Sequence, residues 1–317
     1  MPTRQSERSR TRTWASVRAL GSAFPDGPFR CSVHSRFRSS LNLAVPGQDR
    51  LYSLVGADEL FHPMAAILES PGGGYVDFTA WPVVEGTEGH WSGRLLAFGD
   101  DGRASVDFSR SERRGAEAMP RIDAAAPGFL DRLSESERIL DDLQSAADTV
   151  VRYADLSEPD AAQHPASRRI GAAFRDFAAL PVDSKSGTEG ARRLLELVVG
   201  LGPGLTPSGD DVLVGYMAAL RTGAAKDRRS RYRRLLSRAW RDGRSEWFGA
   251  TTDVSASFLA AADDGVYSQS LIRLAEALGG PTELGIESAL GGLRDIGHSS
   301  GLDAATGFLF GQRQFMP

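Results

Sequence analysis

The chain has 317 residues, 41% of them hydrophobic and 25% charged, with a formal net charge of −4 at neutral pH. That is the make-up of an ordinary globular protein long enough for two domains, and its acidic balance argues against wholesale binding to nucleic acid or to a membrane surface. The single Cys31 excludes an internal disulfide, no apolar run approaches the ~20 residues of a membrane span, and no signal peptide is evident, so a reducing cytoplasm is the expected location.

The opening segment is rich in Arg and Ser with one acid, Glu7, a composition shared by disordered tails and organelle transit peptides. Residues 1–20 are read as a disordered tail outside the fold. A β-rich domain is expected over 28–115. FRCSVHSRF alternates around Cys31, Val33, Ser35 and Phe37, the period of two of a half-buried strand. Short apolar pieces bounded by Gly, Pro or Asp follow, and RLLAF-GDDG-RASVDFS reads as a hairpin turning at Asp101-Gly102. Strands this short predict a small sandwich or barrel. His34, His62 and His90 lack metal-ligand spacing, so no site is assigned to them.

A charged, Ala-rich linker is expected over 116–127, and a helical domain over 128–317, which makes the fold class α+β. FLDRLSESERILDDLQSAADTVVRYA places Leu130, Leu133, Ile139, Leu140, Leu143 and Val150 near one helical face. RRIGAAFRDFAAL forms another helix, stopped by Pro181, and TEGARRLLELVV leads into the stretch that organises this half.

That stretch is GLGPGLTPSGDDVLVGY, Gly200–Tyr216, with four glycines and two prolines in its first ten residues. Glycines let a backbone approach a ligand closely, and a rigid loop feeding a helix start collects free N–H groups at the positive end of the helix dipole. Such a loop can cradle phosphate or carboxylate. The plainer reading is an ordinary helix start with Ser208 or Asp210 as its cap. The helix that follows is apolar and small on all faces, as befits one buried in a bundle.

Between Lys226 and Arg244 nine residues are basic and two acidic, which predicts a helix with an exposed basic face. That face could dock an acidic partner subunit or steer anions; nucleic acid is disfavoured because interleaved aromatics are few. ATTDVSASFLAAADDG begins a helix at Thr251, Thr252 or Asp253, each a competent cap. Residues 297–311, GHSSGLDAATGFLFG, then repeat the design of the first loop, with His298, Ser299, Ser300 and Gly301 ahead of Asp303. Two convergent helix N-termini could hold a doubly anionic ligand.

The glycine loop, TTDVSASFLAAADDG and GHSSGLDAATGFLFG together resemble the AllH family, over roughly Gly187–Gly311. Two positions depart from the family pattern: Ser299 stands where threonine is common, and Leu302 where an aromatic is frequent. The resemblance implies a subunit of the oxamate carbamoyltransferase of anaerobic allantoin (purine) breakdown, which converts oxalurate and phosphate to oxamate and carbamoyl phosphate. It also implies a hetero-oligomer whose active site other subunits could share. Small anions of this kind suit backbone N–H nests, here Gly202 and Gly204 to Gly209 with the Thr206 and Ser208 hydroxyls, and Thr252, Ser299, Ser300 and Asp303 beside them. His298 is the residue type for acid–base work near neutral pH, with Asp210 and Asp211 either orienting it or holding Mg²⁺. Two alternatives stay open: a non-catalytic anion-binding scaffold or regulatory subunit, and a transferase or hydrolase acting on another small carboxylate or amide.

Overall fold

The computed structural model describes residues 13–114, 118–147, 149–158, 160, 162, 164–181, 185–280 and 285–316. The chain divides between residues 116 and 117 into two compact units.

The first unit is a β-barrel. Its strands are β1 (Thr13–Gly21), β2 (Phe29–Arg36), β3 (Ser40–Ala44), β4 (Leu51–Val55), β5 (Ala65–Glu69), β6 (Glu88–Trp91), β7 (Leu95–Phe98), β8 (Ala104–Asp107) and β9 (Glu112–Arg114). The ring runs β5-β4-β3-β2-β6-β7-β8-β1 and closes because β1 also pairs with β5. On one side Thr13 lies opposite Ala104 in a parallel pair, and on the other Ser16 lies opposite Glu69 in an antiparallel one. The strand β9 continues along β1 beyond β8. Alternation does the sorting: Ala15, Val17 and Ala19 of β1 face inward while Trp14 and Arg18 face out. The predicted hairpin stands, with Phe98 opposite Ala104 across the turn.

Three sequence expectations are corrected here. Residues 13–20 are not a tail, because their apolar alternation supplies the strand that closes the barrel; residues 1–12 lie outside the described residues. The period of two in FRCSVHSRF fails after Val33, because an irregularity between Val33 and Ser35 shifts the register against β3 and leaves Phe37 exposed. Residues 118–127 are not a free linker either. Met119 and Ile122 are buried in the helical core, and the Ile122 N–H donates to the Thr222 carbonyl at 3.0 Å.

The second unit has eleven helices among the described residues: α1 (Phe129–Ser145), α2 (Tyr153–Ser157), α3 (Pro165–Ala179), α4 (Lys185–Val198), α5 (Ser208–Arg221), α6 (Arg228–Asp242), α7 (Arg244–Ala250), α8 (Asp253–Asp264), α9 (Gln269–Gly279), α10 (Gly285–Arg294) and α11 (Ser300–Gln314). The fold is therefore α+β. The stripe of α1 is rotated from the expected one. Phe129, Leu133, Ser136, Leu140 and Gln144 are buried, Leu130 is exposed, and the helix stops before Val150. Gln144 accounts for the shift, since it is pulled inward to donate to the Val151 carbonyl and the Thr306 hydroxyl, both at 2.9 Å.

Helices α5 and α11 form the centre of this unit, backbone against backbone. A Cβ at Gly215 would lie 1.9 Å from the Ala304 carbonyl oxygen, and one at Gly307 would lie 1.9 Å from that of Val212. Farther along, a Cβ at Gly311 would press on Ala219. Partners advance together along both helices, so the two run parallel with their N-termini at one end. Only residues without a side chain permit so close a crossing.

The basic helix α6 is less exposed than its charge suggests. Arg229 is buried, donating to Gln312 and to the Ile122 carbonyl at 2.9 Å and to Thr222 at 3.1 Å. Arg241 pairs with Asp263 at 2.7 Å. No helix among the described residues is long and apolar enough to cross a membrane.

Candidate functional site: two helix starts side by side

The N-terminal halves of α5 and α11 carry the same spacing. Ser208-Gly209, Asp211 and Gly215 on α5 match Ser300-Gly301, Asp303 and Gly307 on α11, an S-G-x-D-x-x-x-G pattern given twice. Each position has a structural counterpart. The second-position glycines face the preceding helices: a Cβ at Gly209 would lie 2.2 Å from the Val198 carbonyl oxygen, and one at Gly301 would lie 1.8 Å from that of Leu293. The last glycines make the helix crossing described above. Serine and aspartate pair reciprocally, the Ser300 hydroxyl acting on the Asp211 carboxylate and the Ser208 hydroxyl on that of Asp303.

At the mouth the two loops meet directly, with the Thr206 and Ser300 hydroxyls 2.7 Å apart. Both residues are half-buried, while Asp211 and Asp303 beneath them are 8% and 0% exposed. The backbone N–H groups of Gly204, Leu205, Thr206 and Ser208 have no partner among the described residues. Those of Ser208 and Ser300 occupy the first turn of each helix, where an N–H is left over by helix geometry.

Other predicted site residues are committed elsewhere. The Gly209 N–H, expected as an anion donor, bonds to the Leu201 carbonyl at 2.8 Å, and its glycine is required by packing. Gly202 has a φ of +127° and lies close under Ser208, so it shapes the loop. Gly204, by contrast, faces open space. Thr252 caps α8 by accepting from the Ser255 N–H at 3.1 Å, and its hydroxyl donates to the Leu205 carbonyl. It holds the loop rather than a ligand.

Asp210 does the same from the other side. It accepts from the Gly200 N–H at 2.8 Å, from the Ser255 hydroxyl at 2.7 Å and from the Thr251 hydroxyl. Burial raises its pKa, and these three donors offset only part of that rise. With both oxygens spoken for, Asp210 fits neither the Mg²⁺ ligand nor the histidine partner suggested by sequence. Asp211 alone retains a free oxygen of that pair, and no group of three His, Cys, Asp or Glu side chains among the described residues could hold a metal ion. Thr251 and Ser255 went unremarked as anchors, because nothing in the sequence ties them to a carboxylate more than forty residues earlier.

Asp303 and Asp211 differ from Asp210 in electrostatics. Burial pushes Asp303 up to about 7 despite the hydroxyls of Ser208 and Ser299. Asp211 is held well above the carboxylate range, first by burial and then by the charge of Asp303, against the Ser300 and Thr206 hydroxyls. Ser299 donates to one Asp303 oxygen at 3.0 Å. His298 is exposed in the turn between α10 and α11, at the rim of this arrangement.

Residues 198–312 match the family model described as oxamate carbamoyltransferase subunit AllH. The matched stretch runs from the last residue of α4 through both helix starts into the last turns of α11, so the sequence resemblance holds where it matters for the site. No solved structure matches the chain.

Proposed function

We propose that this chain is a catalytic subunit of an oxamate carbamoyltransferase, working with partner subunits, and that it binds its small anionic substrates at the paired N-termini of α5 and α11. The reaction moves a carbamoyl group from oxalurate to phosphate, giving oxamate and carbamoyl phosphate. What supports this most is one coincidence: the family match spans both helix N-termini, and these are joined mouth to mouth by the Thr206–Ser300 hydrogen bond.

The chemistry suits the place. Two parallel helices bring two positive dipole ends together, equivalent to roughly one elementary charge between them. Uncommitted N–H groups at Gly204, Leu205, Thr206 and Ser208 can hold phosphate oxygens or the oxyanion of a tetrahedral intermediate. A proton must also pass from hydrogenphosphate to the departing nitrogen. His298 at the rim and the carboxyls beneath the mouth are the groups at hand. Leu205, a large apolar side chain 48% exposed on the loop itself, offers a contact for a partner subunit that completes the enclosure.

Phosphate-dependent cleavage of oxalurate by the purified chain, alone and with its genomic-neighbour subunits, tests the reading. Activity that requires this chain and falls at least tenfold in Thr206→Val supports it. A complex that stays fully active without this chain overturns it. Retained phosphate binding without any turnover would assign the chain to an anion-binding scaffold.

A further inference from the structure

One oxygen of each inner carboxyl is buried without a hydrogen-bond partner, Asp211 Oδ2 and Asp303 Oδ1, and the two helix starts that carry them are held together by the Thr206–Ser300 contact above and the Gly215–Ala304 crossing below. Both side chains are at least nine-tenths buried, and no Lys, Arg or His forms an ion pair with either among the described residues. The groups acting on them are the Thr206 and Ser208 hydroxyls at the start of α5, Asp210 on α5, and the Ser299 and Ser300 hydroxyls at the start of α11. None carries positive charge. Two ionised carboxylates that feel each other in so dry a place are untenable, because like charges in low dielectric force one proton back on. A pair holding one proton carries a single negative charge instead of two, which halves the repulsion it would exert on an anion held at the two helix ends above it.

We infer that Asp211 and Asp303 share one proton and exchange it with the bound anion through the hydroxyls beside them, Thr206 and Ser300 at Asp211 and Ser208 and Ser299 at Asp303. This deepens the proposed function and rests on it for the identity of the reaction, though not for the shared proton. The step is balanced. A phosphate oxygen attacks the ureido carbon of oxalurate, the new C–O bond forms, and the C–N bond to the oxamate nitrogen breaks. The proton of hydrogenphosphate passes to the carboxylate member of the pair, and the acid member's proton reaches the leaving nitrogen. The pair ends as it began. A single carboxylate could be acid or base in that step, whereas a pair with one proton is both at once. Asp211 and Asp303 act through the hydroxyls above them, so they are positioning residues for the proton.

Infrared titration of the full chain, with isotope-labelled aspartate carboxyls, reads the proton directly. The expected result is a buried carboxyl pair that loses one proton near pH 7, keeps the other at about pH 8, and is absent from the Asp211→Asn/Asp303→Asn double variant. Either single Asn variant should titrate in one step. Two ionised carboxylates at about pH 8 in the wild type would overturn the inference. So would a protonated carboxyl that Mg²⁺ abolishes and a chelator restores, since the pair would then be a cation site.

In the assembled enzyme, each single Asn variant should lower kcat about a hundredfold or more, leave the KM for phosphate within a few-fold, and flatten the pH profile. Wild-type pH dependence in both variants would sink the inference while leaving the proposed reaction intact. Conversely, an assembled enzyme that never cleaves oxalurate defeats the proposed reaction, and the infrared titration still decides the shared proton.

Discussion

The starts of α5 and α11 are two versions of one device, and they differ in an instructive way. Of the four pairs they share, Ser208 and Ser300, Asp211 and Asp303, and Gly215 and Gly307 face the partner helix, while Gly209 and Gly301 face the helix before their own. Where they differ, the residue serves its own loop. Asp210 stands where α11 has Leu302, and it ties a long glycine loop to Gly200, Thr251 and Ser255. Among the described residues the shorter approach to α11 has no such carboxylate anchor; there Ser299 donates to Asp303 at 3.0 Å. Shared positions therefore build the common floor of the site, and unshared ones hold each wall.

The largest effect should come from the crossing that makes the floor. Gly215→Val would drive a side chain into the Ala304 carbonyl and force the helices apart, with an expected loss of about 3 kcal/mol or more in chemical denaturation. Gly291→Ala on α10, with nothing within 4 Å of its added Cβ, should instead gain up to about 1 kcal/mol. Equal behaviour of the two variants would mean that α5 and α11 do not cross as described.

Next comes the wall. Asp210→Ala leaves the Gly200 N–H and two hydroxyls unpaired in a buried place, at a cost of about 3 kcal/mol. Leu302→Ala should cost a similar amount through a cavity. The comparison is sharpened by dynamics: only the Asp210 variant should speed hydrogen exchange across residues 200–207.

The floor also has a pH signature. Asp303 has a folded pKa of about 7 against an ordinary value of 3.8, so the folded state binds more protons than the unfolded one between those limits. Stability is therefore highest below about pH 4 as far as this group is concerned, and falls by up to about 1.4 kcal/mol per pH unit as pH rises toward 7. The raised pKa of Asp211 extends the decline above that. Asp303→Asn should be more stable than the wild type by on the order of 2 kcal/mol at about pH 8 and no different at about pH 4. Denaturation curves at the two pH values check this, and a variant less stable at both would contradict the buried, raised carboxyl.

How much of this was legible beforehand follows from the kind of force involved. The hairpin at Asp101-Gly102, a small β-domain of sandwich or barrel type and both helix starts were readable, because turn chemistry and periodicity are local. The roles of the individual acids were not. Asp210 and Asp211 are adjacent in sequence, and only the tertiary positions of Thr251, Ser255 and Ser300 turn one into an anchor and the other into half of a buried pair. Arg229 and Gln144 escaped for the same reason, each being drawn inward by carbonyls distant in sequence or beyond the end of its helix. The reading of residues 13–20 went astray because their Arg-rich surroundings masked a strand only half of whose side chains point inward.

The smallest structural effect belongs to the rim. His298 is exposed, so His298→Ala should leave stability within about 0.5 kcal/mol of the wild type. Its effect on turnover separates two sources of acid–base chemistry. If the buried pair moves the proton, the His298 variant keeps the wild-type dependence of kcat on pH near neutrality, and any loss falls on KM, as expected for a group that helps to hold an anion at the mouth. If His298 is the acid–base residue, kcat itself falls in its variant and the pH profile flattens there instead. Measuring both parameters across pH in the His298→Ala and Asp303→Asn complexes therefore decides whether the work is done at the rim or on the floor, because only one of the two variants should flatten the profile.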